Sequence, residues 1–302
     1  MEKVIIIGAG PAGISAALYA VRGNLDPLVV DNGIGALEKA EKIENYYGLE
    51  HPLSGQELYD TGIAQAKALG VRILDAQVLG VGGFDTFVVK TTEGEFETQS
   101  LILATGSKRA APKIPGVKEF EGKGVSYCAI CDAFFYRGKD VAVLGNGDFA
   151  MHEAKELSNT ASTVTIYTNG EEPEFTPEGN ISVNTMKIQS VEGDDLVSGI
   201  RLAPDVQVQE INLEAGQQPN DFCPADGVFI AMGTAGSTEI ARQMGAELTE
   251  KGNIKVNENM ETTIPGLYAA GDCTGGLLQV AKAVYEGAQA GINAGKYVRS
   301  LK

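Results

Sequence analysis

Cys128 and Cys131 stand in the run Ser126-Tyr127-Cys128-Ala129-Ile130-Cys131-Asp132. In a C-x-x-C pair one thiolate attacks a partner disulfide while the other sulfur resolves the mixed disulfide, and their proximity lowers the pKa of the attacking sulfur. Asp132 follows directly and is a candidate proton donor to a leaving thiolate. The three residues together point to dithiol/disulfide exchange. The same spacing is half of a structural zinc site. Cys223 and Cys273 are single and far apart, so they read as small apolar fillers and no metal is expected. The run Phe134-Phe135-Tyr136 reads as core packing ahead of the next strand.

Two glycine turns must position this chemistry. The apolar run Val4-Ile5-Ile6-Ile7 ends in Gly8-Ala9-Gly10-Pro11-Ala12-Gly13 and continues into helix formers. A second strand, Leu28-Val29-Val30, delivers Asp31 eighteen residues after Gly13, with Asn32 beside it. Strand, helix and acid fall where a dinucleotide fingerprint needs them. The glycines let the backbone approach a pyrophosphate, the helix N-terminus offers free N–H groups, and Asp31 accepts from ribose hydroxyls. A second unit repeats the plan, with Val141 to Leu144, the turn Gly145-Asn146-Gly147-Asp148-Phe149-Ala150, a helix over Met151 to Leu157 and a strand over Thr163 to Tyr167.

Between the units, Leu101 to Gly106 reads as a strand ending in the tight turn Ala104-Thr105-Gly106, and Ala111 to Gly116 as a linker. Toward the C-terminus a strand delivers Gly271-Asp272, and a small-residue helix runs from Leu278 to Tyr297. An aspartate at such a strand end binds a polyol hydroxyl. The first unit lacks strands to finish its sheet, so the final segment is expected to return to it. The expected fold is α/β, with two Rossmann-like (GxGxxG) domains. The first comprises 1–110 and 240–302, and the inserted nucleotide-binding-type domain, 111–239, carries the C-x-x-C.

Composition narrows the function. At 302 residues with 43% hydrophobic residues and 38 glycines, the chain is long enough for two cores. Four cysteines are too few for a disulfide scaffold. A charge of −16 argues against nucleic acid. With no run of eighteen apolar residues and no leader-like start, no membrane contact is expected and the default location is cytoplasmic. The dithiol nevertheless sits in a locally basic stretch: from Thr105 to Asp140 there are seven basic residues, among them Lys108, Lys113 and Lys123, against four acidic ones. Such an island can steer an acidic protein partner.

With these residues assembled, the chain resembles the low-molecular-weight thioredoxin reductases over essentially its whole length. The resemblance rests on the amino-terminal GxGxxG, Glu44-Asn45-Tyr46-Tyr47-Gly48, Ala104-Thr105-Gly106, the Cys128 to Tyr136 segment and Gly271-Asp272. It implies a homodimer whose first domain binds FAD and whose inserted domain carries the dithiol. By the family pattern Asn45 lies at the flavin, and Gln279, Val280 and Ala281 begin a helix whose N–H groups stabilise the anionic reduced flavin. Cys131 would face the flavin, Cys128 would exchange with thioredoxin or a thioredoxin-like protein, and Asp132 would supply the proton.

One family feature is missing. NADPH-using members carry a His-Arg-Arg run after the strand corresponding to Thr163–Tyr167; here Thr168-Asn169-Gly170-Glu171-Glu172-Pro173-Glu174-Phe175-Thr176-Pro177-Glu178 has four glutamates and no cation. A 2′-phosphate needs cations. Asp148 adds negative charge, and Phe149 bulk, to the glycine turn. NADPH is therefore not expected. The chain looks like the branch of the family that takes electrons from reduced ferredoxin. Two alternatives stand beside this reading: a conventional NAD(P)H-dependent thioredoxin reductase, and a non-catalytic flavin-binding module.

Overall fold

The computed structural model describes residues 1–83, 85–106, 112–127, 129–204, 221–232 and 236–301, without the side chains of Ile130 and Cys131. It divides into two compact units, Met1–Arg109 with Ala235–Lys302, and Ala110–Thr234.

The first unit opens with β1 (Glu2–Ile7), whose Val4 to Ile7 are buried, as a central parallel strand requires. Then come α1 (Pro11–Arg22) and β2 (Pro27–Asp31). The helix α2 (Gly55–Ala68) starts at a capping box, in which the Glu57 N–H donates to the Ser54 hydroxyl and the Ser54 N–H to the Glu57 carboxylate. There follow β3 (Arg72–Asp75), β4 (Val78–Gly82), β5 (Phe87–Thr91) and β6 (Gly94–Leu103). Strands β3, β2, β1 and β6 are parallel neighbours, with Ile6 opposite both Val29 and Ile102. The first half of β6 pairs antiparallel with β5, and β5 with β4. One strand thus serves both the parallel sheet and a meander.

The second unit contains β7 (Val125–Ser126), α3 (Ala129–Asp132), a 3-10 turn over Ala133–Tyr136, β8 (Asp140–Leu144), α4 (Asp148–Ser158), β9 (Thr163–Tyr167) and β10 (Ile181–Asn184). A three-stranded antiparallel sheet follows, β11 (Ile188–Gly193), β12 (Val197–Leu202) and β13 (Phe222–Pro224), before β14 (Gly227–Ile230). The parallel sheet runs β10-β9-β8-β14-β7. Its core includes Val117, Phe120, Leu144, Ile200 and Val228.

The chain then returns through α5 (Ser237–Gln243), β15 (Leu267–Ala269) and α6 (Val280–Ser300). A boundary at residue 240 would cut α5, and the whole helix belongs to the first unit. Helix α6 begins two residues later than the sequence pattern gives, because Gln279 is an N-cap with extended backbone, and it continues to Ser300. β15 lies parallel to β6, with Tyr268 opposite Ile102. Helices α1 and α6 approach closely: a Cβ on Gly287 would stand 2.0 Å from the Ala12 carbonyl oxygen, and one on Gly291 2.2 Å from that of Ala16. No helix among the described residues is long and apolar enough to cross a membrane.

Candidate active site

The three glycines of the first turn do different work. Gly8 has φ +105°, and a Cβ there would lie 2.5 Å from the Ala104 carbonyl oxygen. A Cβ on Gly13 would lie 1.8 Å from that of Gly8. Both glycines serve the chain's own close packing. Gly10, the N-cap of α1, has φ −70° and nothing within 4 Å of a Cβ position, so neither backbone nor neighbours demand glycine. Its bareness fits a group that comes from outside the chain. Pro11 occupies the first helical turn, no side chain caps the helix and no acid stands in that turn, leaving the Ala12 and Gly13 N–H groups and the helix dipole facing an incoming anion. The turn fits a pyrophosphate.

Asp31, at the end of β2, is already oriented by the protein. Its Oδ1 accepts the Gly33 N–H over 3.0 Å and its Oδ2 the Tyr59 hydroxyl, whose pKa burial and this carboxylate raise. Tyr59 reaches Asp31 from α2, a partner that no sequence signal marks. Asn32 is exposed beside it. At the end of β6, after the buried Ala104, Thr105 is latched to the first residue of α5. Its N–H donates to Ser237 Oγ over 3.1 Å, the Ser237 N–H donates to Thr105 Oγ1 over 2.9 Å, and the hydroxyls are 2.7 Å apart. Gly106 has φ +86°, and no described residue comes within 4 Å of a Cβ position there.

The Gly271-Asp272 turn is held by α6. The Gly271 N–H donates to Glu286 Oε2 over 2.8 Å, and its carbonyl accepts Lys282 Nζ and the Thr274 hydroxyl, each at 2.8 Å. Lys282 closes the cluster on Glu286 Oε2 at 2.9 Å. Asp272, half-buried, has its carboxyl pKa raised chiefly by burial, against Lys282 and with Glu286. The start of α6 has no side-chain cap hydrogen bond and no acid in its first turn, so the N–H groups of Val280, Ala281 and Lys282, which precede the first intrahelical bond from the Ala283 N–H to the Gln279 carbonyl, can face a ligand. Asn45 Nδ2 donates to Gln279 Oε1 over 3.1 Å, so two expected flavin neighbours 234 positions apart touch. Asp31, Ala104, Gly271 and Gln279 all belong to the first unit.

In the second unit, Cys128 lies outside the described residues, and Cys131 is placed by its backbone in α3. Asp132 is half-buried and accepts the Ser126 hydroxyl at 2.6 Å. The core reading of the aromatic run holds for Tyr136 alone, which stacks edge-on with Phe229 at 5.1 Å and leaves Gly227 no room for a Cβ. Phe134 and Phe135 are 71% and 68% exposed. The 3-10 turn points both rings to solvent, where no periodicity signal could have placed them. Cys273 is buried as expected of a filler, and burial pushes its thiol up to about 12.

The second glycine turn is formed but differently furnished. A Cβ on Gly145 would meet the Ala231 carbonyl oxygen at 2.2 Å, whereas Gly147, N-cap of α4, faces open space. Asp148 stands in the first helical turn, but Phe149 is buried, so the bulk expected in the turn is turned into the core. After β9, the buried Thr168 donates its hydroxyl to the Glu171 carbonyl, and the Glu174 N–H donates to the Asn146 carbonyl over 2.7 Å, drawing the glutamate-rich segment against the turn. Lys113, Lys118 and Lys123 are exposed, while Lys108 and Arg109 lie outside the described residues.

The model of the pyridine nucleotide-disulphide oxidoreductase family matches residues 2–287. A thioredoxin reductase of Aquifex aeolicus (strain VF5) is 37% identical over 284 residues, covering 89% of this chain and 84% of its own length. Among solved structures, an atypical thioredoxin reductase from Desulfovibrio vulgaris Hildenborough superposes with a TM-score of 0.88 at 38% identity, over 99% of each chain. A ferredoxin-flavin thioredoxin reductase from Clostridium acetobutylicum does so with a TM-score of 0.69 at 30% identity, over 99% of this chain and 98% of its own.

Proposed function

Since the chain belongs to the pyridine nucleotide-disulphide oxidoreductase family, and within it to the thioredoxin reductases, we propose that it takes electrons from reduced ferredoxin and passes them to thioredoxin or a thioredoxin-like protein. FAD is the cofactor expected of a thioredoxin reductase. Gly8, Gly10, Pro11, Ala12 and Gly13 would hold its pyrophosphate, Asp31 and Asn32 its ribose, and Gly271 and Asp272 its ribityl chain. Asn45, Ala104, Thr105, Gly106, Gln279, Val280 and Ala281 would line the ring. Bound there, FAD supplies a two-electron store between donor and disulfide. Cys131 would be reduced beside it, Cys128 would attack the substrate disulfide, and Asp132, oriented by Ser126, would give the proton to the leaving sulfur. The exposed Phe134 and Phe135, directly after the dithiol, offer a protein substrate an apolar landing place.

The observation that carries the donor assignment is the segment after β9. It has no lysine or arginine from Thr168 to Glu178, and the Glu174 N–H to Asn146 carbonyl bond draws it against the glycine turn. A 2′-phosphate there would meet carboxylates. The ferredoxin-flavin reductase of Clostridium acetobutylicum lends the donor its chemistry. The open space at Gly147 favours the second reading, an NAD(P)H-dependent thioredoxin reductase.

Anaerobic mixing with reduced ferredoxin, NADPH and NADH in separate cuvettes, read at the flavin band, separates the two. Fast bleaching by ferredoxin alone supports the proposal, and fast bleaching by NADPH overturns it. For the acceptor, Cys131→Ser with Cys128 intact should trap thioredoxin in a mixed disulfide.

A further inference from the structure

Glu153 is 1% exposed, the most deeply buried carboxyl among the described residues. It lies on α4, and its Oε2 accepts the Ala129 N–H over 2.6 Å. Ala129 is the residue between Cys128 and Ile130, inside the C-x-x-C. Oε1 has no hydrogen-bond partner among the described residues. The other inward residues of α4, Phe149, Ala150, Met151, Ala154 and Leu157, are apolar. A carboxyl in this row costs desolvation that an apolar side chain would avoid. Nothing in the fold of α4 asks for it, and its one side-chain hydrogen bond among the described residues goes to the redox segment.

We propose that Glu153 is a positioning residue of the dithiol centre, fixing the peptide between the cysteines through the Ala129 N–H and, when ionised, opposing thiolate formation there. This rests on the reading of Cys128 and Cys131 as the redox pair. Reducing the disulfide to two thiols would take two electrons, which FAD would supply when bound, and two protons, one by way of Asp132, itself reprotonated from water, and one from water directly. With a buried negative charge behind the segment, the reduced pair is held as two thiols until a substrate docks.

Among the described residues the titratable neighbours are few. Glu156 and His152 flank Glu153 on α4, and Asp132 ends α3. Of the strands packed against α4, β8 carries Asp140, β9 Tyr167 and β10 none. Burial is the largest influence and pushes the Glu153 carboxyl up to about 7, against the Ala129 N–H and with Glu156. Its charge therefore changes near neutral pH.

Glu153→Gln keeps an acceptor for the Ala129 N–H and removes the charge, while Glu153→Ala removes both. The reduced proteins are alkylated with iodoacetamide from about pH 6 to about pH 10, and labels at Cys128 and Cys131 are read by peptide mass spectrometry. The proposal expects the alkylation midpoint of Glu153→Gln to fall by roughly 1 pH unit, and Glu153→Ala to turn over thioredoxin about tenfold more slowly than Glu153→Gln. A midpoint unchanged in Glu153→Gln, with the pair still cycling between disulfide and dithiol, overturns the role of Glu153 alone. A wild-type pair that never forms the disulfide overturns the redox reading, and the proposal with it.

Discussion

Lys282 and Glu286 meet at 2.9 Å, one turn apart on α6, and between them they hold both backbone polar groups of Gly271. The Gly271 N–H goes to the carboxylate and the carbonyl to the ammonium. A left-handed residue with φ +87° is thereby fixed to the helix whose start is expected to face the flavin.

Removing Glu286 leaves the Gly271 N–H without its acceptor and takes the carboxylate from the partly buried Lys282 ammonium, which keeps the Gly271 carbonyl and the Thr274 hydroxyl. Glu286→Ala is expected to cost about 1–3 kcal/mol of stability and to release FAD on gel filtration, whereas Glu286→Gln, which retains an acceptor, loses less of both. Thermal unfolding and the flavin-to-protein absorbance ratio check this. Retention of full FAD by Glu286→Ala would show that Gly271-Asp272 does not depend on the cluster for its place.

The glycine turn yields a sharper contrast. Gly10→Leu meets open space at an ordinary φ, so the protein should fold and elute as a compact apoprotein without colour. Gly13→Ala places a Cβ 1.8 Å from a backbone oxygen and should fail to fold. A yellow Gly10→Leu protein would remove FAD from this turn.

Much of this site is legible in the sequence because its parts are backbone devices: glycines at fixed spacing, a strand before and a helix after, an acid at the next strand end. What the sequence hides are partners brought from far along the chain. Ser237 meets Thr105 from 132 positions away, and Tyr59 meets Asp31 from a helix whose own pattern gives no hint of it. Glu153 and Glu286 read as ordinary helix-surface acids, and only packing shows that they are buried. Phe134 and Phe135 mislead in the opposite sense, since an apolar run before a strand is normally core. The 3-10 turn that exposes them leaves no period to read.

Those two rings should matter to the substrate and little to the fold. Phe134→Ala with Phe135→Ala is expected to raise KM for thioredoxin about tenfold, roughly 1.4 kcal/mol of binding, with flavin reduction unchanged and stability within about 0.5 kcal/mol. Steady-state turnover against thioredoxin concentration decides it. An unchanged KM would place docking elsewhere.

Glu153 should leave a mark on stability as pH changes. Its carboxyl is raised in the folded protein from 4.5 to about 7, so the folded state binds the proton more tightly than the unfolded one. The contribution is fully present below the unfolded pKa and is lost as pH rises through about 7, on the order of 3 kcal/mol in all. Glu153→Gln has no proton to lose there. Relative to wild type, the variant should therefore gain stability between pH 5 and pH 8, read as urea midpoints at the two pH values. The Gln amide leaves a donor without a partner at both pH values, so that cost cancels in the comparison. If the wild-type and variant midpoints move in parallel, the buried carboxyl keeps one protonation state across this range, and a carboxyl that burial keeps protonated carries no charge to oppose thiolate formation.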